Sequence, residues 1–241
     1  MPSLHTTLAI GAALVGFAVT IALGMWQLRR AAEKTALDQT WDAAQIGAPL
    51  VLHTAADVAA VAASLPRRVR VGGEFDYPRT YWLDNRPLAG RAGFLVVTPL
   101  RLDGTQQVVL VNRGWAARDP GDRTRLPAIG RPAGSVEIEG IAVADMPRVF
   151  DLGEQGAGVI RQNLDGREVE SEIGMPVAHF VIQQTSALDD ALDRHWTPPA
   201  SGAERNRGYA FQWFALATLI ALLPVVFGLR ALRARSGVGR A

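Results

Sequence analysis

Residues 8–28 read LAIGAALVGFAVTIALGMWQL and residues 209–229 read YAFQWFALATLIALLPVVFGL; neither run contains a charged side chain. At about 1.5 Å per residue, each run as a helix reaches roughly 30 Å, the thickness of a bilayer's hydrocarbon core. The reading is a chain anchored in a membrane at both ends, with residues 1–7 and 230–241 on one side and residues 29–208 on the other. A cleaved signal peptide is the alternative for the first run. Residues 1–7 hold no Lys or Arg, whereas a signal peptide carries a basic segment there, so an anchor is expected. Aromatic residues set the depth. Trp26 lies near the end of the first run, and Tyr209 and Trp213 begin the second one helical turn apart, which puts all three at the interface beside the middle segment.

Charge leaves the orientation open. Arg230, Arg233, Arg235 and Arg240 follow the second run, while Arg29, Arg30, Lys34, Arg205 and Arg207 stand near the runs on the other side. The two sets nearly balance, so the positive-inside rule does not choose between them. The 241 residues leave room for one domain with its own core between the runs. A net charge of +2 is too small to suggest a nucleic-acid partner, and the absence of cysteine excludes disulfides, thiolate nucleophiles, Cys-ligated zinc, iron–sulfur clusters and covalent c-type haem. A cysteine-free domain suits an oxidising periplasm, and equally a cytosol.

After the first run a helix can continue from residue 29 to about 44, with Leu37 and Trp41 on one face. Residues 57–64 read as a short helix with Thr54 as N-cap, Asp57 at the third position, and Pro66 as the stop. From Arg67 the period becomes two, broken by Gly72–Gly73. Residues 81–83, 93–102, 107–115, 136–143, 159–164 and 179–184 are the further candidate strands, with Asp103–Gly104 as a hairpin turn. Residues 186–192 read as another short helix. The expected fold is two transmembrane α-helices flanking an α+β domain, mainly antiparallel β and barrel- or sandwich-like.

Catalytic constellations are not found. The four histidines, His5, His53, His179 and His195, have no metal-binding spacing and read as surface or structural groups. Gly153, Gly156 and Gly158 lack phosphate-loop spacing and a following helix, so a turn is the better reading. Asp189–Asp190 would point in different directions on a helix, which favours a solvated face. There is no G-x-S-x-G and no P-loop. The chain is therefore not read as an enzyme, and no metal site is assigned.

Three polar–aromatic clusters stand out: Gly24–Met25–Trp26–Gln27–Leu28–Arg29–Arg30, Asn112–Arg113–Gly114–Trp115, and Tyr209–Ala210–Phe211–Gln212–Trp213–Phe214–Ala215. Interfacial anchoring alone accounts for the first and third. A purely structural Arg113 would pair with a carboxylate, and Asp84 or Asp119 could serve.

In order along nearly the whole chain, these clusters resemble the surfeit locus protein 1 family, assembly factors of haem–copper cytochrome c oxidase. Gly24, Trp26, Gln27 and Arg30 are similar to its G-x-W-Q-x-x-R pattern. Asp84–Asn85–Arg86 followed by residues 93–100 resembles its strand entering T-P-L. Asn112–Arg113–Gly114–Trp115 resembles its N-R-G-W/F signature, and Tyr209–Ala210–x–x–Trp213–Phe214–x–Leu216–Ala217 its re-entry motif. The resemblance implies cytoplasmic termini, a periplasmic domain on a bacterial inner membrane, and no covalent catalysis. It implies work on subunit I of an aa3-type oxidase, where haem a must be inserted, with membrane lipid and a haem a synthase as further partners. Bacterial members are associated with haem a binding.

The family's re-entry motif usually has a histidine, the proposed haem ligand, three residues before the tyrosine. Here that position is Asn206, and an amide is a poor iron ligand. The expectation is weak binding or none by the isolated protein, with His195 the first substitute to examine. Asn206, Tyr209, Trp213 and His195 are thus the candidate haem a residues, and Arg29, Arg113 and Trp115 a candidate interaction surface. A surface Arg113 predicts that Arg113→Ala lowers oxidase activity while the protein stays in membranes. The rival functions are a stably bound accessory subunit of a larger complex and an enzyme acting on lipid or cell-wall precursors.

Overall fold

A computed structural model describes residues 4–146, 148–149, 158–196 and 202–238, with backbone alone at residue 5 and residues 231–238. The chain divides into two units: Met1–Gln39 with Pro199–Ala241, and Thr40–Pro198.

The first unit is a pair of long helices. α1 runs Leu4–Ile46, its last turns belonging to the second unit, and α4 runs Ala203–Val238. Both are long and apolar enough to cross a membrane, and only 11% of each apolar stretch is buried, the reverse of a soluble core helix. Contacts between Gly16 and Ile220, Gly24 and Phe214, and Lys34 and Asn206 fix an antiparallel pairing. Residues 16, 20, 24, 27 and 31 of α1 and 203, 206, 210, 213 and 217 of α4 recur at three or four residues, which is one helix face each. Several are Gly, Ala or Thr, and small residues let backbones approach closely.

The second unit is an eight-stranded sheet with two small helices. In chain order it contains β1 (Leu50–Leu52), α2 (Ala55–Ala62), β2 (Arg67–Phe75), β3 (Tyr81–Leu83), β4 (Gly93–Leu102), β5 (Val108–Ala117), β6 (Ser135–Val143), β7 (Ile160–Arg161), α3 (Gly166–Ile173) and β8 (Val177–Gln184). The strand order is β1-β2-β6-β8-β5-β4-β3-β7. β1–β2, β5–β8 and β3–β7 are parallel. Among the described residues five of the eight strand pairings are antiparallel, as expected, but the expected barrel- or sandwich-like form is corrected to one mixed sheet. A second pairing, residues 73–75 of β2 with 100–102 of β4, curls it. β1 and β7 still stand at its edges, and a barrel has none. Parallel pairs need crossover connections, and α2 between β1 and β2 is one.

The unbroken apolar run of residues 108–111 at the start of β5 follows from its burial on both faces. Val109 and Val111 enter one core with Val69, Leu100, Phe180 and Val61 of α2. Val108 and Leu110 enter a second with Tyr81, Val97 and Val181, packed by Val169 of α3 and by Trp41 and Ala44 of α1. A third, smaller core holds Trp82, Phe94, Val96, Ala116 and Leu192. Each fully buried aliphatic side chain contributes about 1.5–3 kcal/mol.

Local chemistry sets the short elements. Thr54 caps α2 in a capping box: Asp57 N–H donates to Thr54 Oγ1 at 3.2 Å, and Thr54 N–H to Asp57 Oδ2 at 2.8 Å. Gly72–Gly73 does not break β2. Gly73 lies between β4 and β6, where a Cβ would run into the Arg101 carbonyl, so the glycine permits the double pairing. Asp103–Gly104 begins a longer loop between β4 and β5, with Gly104 at φ 72. The strand expected over residues 159–164 pairs only at Ile160–Arg161. Residues 186–192 form no helix, since Ala191 sits at φ 59 in the left-handed region and Asp190 turns into the core. Gly153 and Gly156 lie outside the described residues.

Candidate functional site

Two places gather the residues singled out by the sequence, one in each unit. In the sheet body the alternation of β5 turns Arg113 into the first core's end, and the side chain is 0% exposed. Its Nη2 donates to Asp190 Oδ2 and to the Gly130 carbonyl, each at 2.9 Å. The guanidinium stacks 5.0 Å from the Phe75 ring and 5.1 Å from the Tyr77 ring. Arg194 Nη2 donates to the same Asp190 oxygen at 2.5 Å. Burial pushes the Arg113 pKa below its ordinary value, against the pull of Asp190.

Arg113 is therefore no interaction surface, a correction that its burial compels. Nor is its carboxylate Asp84 or Asp119, which pair with Arg118 and Arg125. The partner is Asp190, 1% exposed and not solvated as its sequence position suggested. Trp115 is likewise buried, at 6% exposure. Its Nε1 donates to the Arg86 carbonyl at 2.6 Å, and Arg91 lies 4.9 Å over its ring. Its backbone exchanges two hydrogen bonds with Asp193.

In the helix pair, Asn206 uses both ends of its amide. Lys34 Nζ donates to Asn206 Oδ1 at 2.8 Å, and Asn206 Nδ2 donates to Gln27 Oε1 at 2.5 Å. Next to this, Arg207 donates to Thr35 Oγ1 at 3.1 Å and pairs with Glu204. Tyr209 and Trp26 are half-exposed, Trp213 is partly buried, and Arg29 is exposed. A Cβ on Gly24 would stand 2.7 Å from the Phe214 ring, so only glycine allows this approach.

The donor set decides how a haem iron would fare here. Asn206 offers an amide whose oxygen and nitrogen are both engaged, and it does not fit an iron ligand. His195 belongs to the sheet body, its side chain 92% exposed and its Nδ1 2.6 Å from Asp193 Oδ1. Sequence reasoning singled out Gln27 but missed Lys34 as its partner through Asn206, and it took Asp190 for a solvated residue. The signal for the first was the shared spacing of small and polar residues on the two helices; for Asp190 there was none.

Comparison with known proteins covers both places. The SURF1 family model matches residues 14–218, from within α1 to within α4. A SURF1-like protein of Rickettsia felis is 27% identical over 225 residues, covering 89% of this chain and 94% of the relative. One from Rickettsia bellii is 25% identical over 225 residues, covering 89% and 88%. A SURF1-like protein of Monosiga brevicollis is 34% identical over 135 residues, 51% of this chain and 50% of its own. With the match reaching from one long helix through the sheet to the other, this chain belongs to the SURF1 family.

Proposed function

We propose that this protein is a membrane-anchored assembly factor for an aa3-type haem–copper cytochrome c oxidase, acting on subunit I. In this reading α1 and α4 cross the bacterial inner membrane over residues 8–28 and 209–229. Residues 1–7 and 230–241 are cytoplasmic, and residues 29–208 form the periplasmic part. The observation that carries it is family membership over residues 14–218 in a chain whose two apolar helices are joined by the Gln27–Asn206–Lys34 bridge.

Because Asn206 does not fit an iron ligand, the proposed task is to shape and stabilise the receiving site of subunit I while haem a arrives from a haem a synthase. The isolated protein binds haem a weakly or not at all. No covalent catalysis is required of it. The body's cleft of about 290 Å³ between β2, β4 and α3 has its charges already paired as Glu74–Arg101 and Asp76–Arg79, which argues against an enzyme site there.

The test is the haem a absorbance of membranes from a deletion strain, with immunodetection of subunit I. Loss of the haem a signal while subunit I is still made supports the reading. An unchanged signal with normal oxidase activity overturns it.

A further inference from the structure

Between β8 and α4, residues 185–196 cross the end of β5 as a strap. The backbones of Trp115 and Asp193 exchange hydrogen bonds of 2.7 and 2.9 Å. Leu192 enters the third core beside Gly114, whose φ is 152 and whose added Cβ would lie 2.7 Å from the Leu192 Cβ. Gly130 N–H donates to the Asp190 carbonyl at 3.1 Å. At the centre is the Asp190 carboxylate. One oxygen takes Arg113 and Arg194, and the other accepts the Leu192 N–H at 3.3 Å.

Two features oppose this arrangement. Ala191, next to the buried carboxylate, is held at φ 59, a left-handed conformation that a Cβ disfavours. The cluster also sets two guanidiniums against one carboxylate, and among the described residues Arg113 Nε and Nη1 and Arg194 Nε have no hydrogen-bond acceptor.

We infer that Asp190 is a positioning residue: its carboxylate latches the strap onto the end of β5, and Arg113 and Trp115 serve that latch rather than a partner surface. The carboxylate works against local strain, beside the Trp115–Asp193 and Gly130–Asp190 backbone bonds and the Leu192 contact, so its loss should loosen the strap before the sheet. Its functional consequence rests on the proposed assembly role, since the strap is the stretch from which the chain continues to α4 and the latch fixes where it leaves the sheet.

Hydrogen exchange on the full-length protein in detergent, read by peptide mass, tests the latch. Asp190→Asn keeps the shape and removes the charge. Amides of residues 187–195 should exchange at least tenfold faster, with β4 and β6 accelerated far less. Ala191→Gly should slow the same amides about threefold, and it remains informative if Asp190→Asn fails to fold. Unchanged strap exchange in both variants, or acceleration spread evenly over the sheet, would overturn the latch. Expressed in the deletion strain, Asp190→Asn should lower haem a absorbance by more than it lowers the protein level. A loosened strap with full haem a absorbance would overturn the positioning role. A deletion strain with normal oxidase would instead count against the assembly role, while the exchange data still read the latch.

Discussion

In the sheet body the largest fully buried side chain is an arginine, Arg113, whereas in the helix pair Phe211 and Phe227 are 75% and 62% exposed. The body follows the rule for water: apolar side chains are inside, and the fully buried Arg113 is received by a carboxylate and two aromatic rings. The helix pair inverts the rule. Its apolar side chains face outward, and Gln27, Lys34 and Asn206 satisfy one another on the shared face. Outside groups must suit the surroundings and inside groups must suit each other, so the inversion follows from a change of solvent, as the proposed membrane orientation requires. One chain thus carries two kinds of polar contact, a charged pair in the body and an amide–ammonium bridge between the helices.

Breaking the charged pair should have the largest effect. Arg113→Ala removes one of two cations from a buried carboxylate and empties the space against Phe75 and Tyr77. The expected cost is about 3–5 kcal/mol, a large share of a domain's stability. Denaturant unfolding of the full chain in detergent measures it, and immunoblots of membranes should show less protein. Lower oxidase activity at an undiminished protein level and with strap exchange unchanged would return Arg113 to a direct functional role. The helix pair should lose less. Asn206→Leu removes two hydrogen bonds and leaves the Gln27 amide and Lys34 without this partner. The bridge lies at the edge of the two spans, where a hydrogen bond is worth about 0.5–1.5 kcal/mol. Cysteines placed at positions 16 and 220 should cross-link less efficiently in this variant. Equal cross-linking would mean that small-residue packing alone holds the pair.

What the sequence disclosed follows the same division between local and distant. The helix runs were legible because 21 uncharged residues are a local fact. So was the capping box of Thr54 and Asp57, three residues apart, and so were β3 and β4, bounded by turn residues. The parallel pairings were not, since β5 meets β8 only after β6, β7 and α3 have intervened. Arg113 could be marked as unusual from its strand-end motif. Its partner lies 77 positions away, and nothing in Asp189–Asp190 says which of the two turns inward. Ala191 decides that, through a backbone conformation that composition does not encode. Asn206 was noticed as a departure from a pattern, but its use needed the second helix. The helix reading of residues 186–192 failed for the reason that propensity generally fails: tertiary contacts outweigh it.

Acid gives the smallest effect and the finest distinction between the two units. On the sheet's outer surface Glu139 accepts hydrogen bonds from Arg70 at 2.6 Å and from Arg68 at 2.8 Å. Those bonds, Arg70's first, hold its pKa below the ordinary 4.5. A carboxylate whose folded pKa is depressed contributes its stability fully above the unfolded value and loses it as pH falls through the folded one. The sheet body should therefore weaken progressively below about pH 4.5, and Glu139→Gln should flatten that part of the curve while leaving stability near neutrality only slightly reduced. Other carboxylates of the body contribute in the same direction, among them Asp57, held down first by the His53 backbone N–H, and Asp193, held down first by that of His195. The bridge between the helices, Gln27, Asn206 and Lys34, contains no carboxylate. Acid should loosen the β2–β6 exchange profile before it alters cross-linking between positions 16 and 220. The reverse order would show that the helix pair depends on a carboxylate, and the contrast between the two units would then lie in their solvent alone.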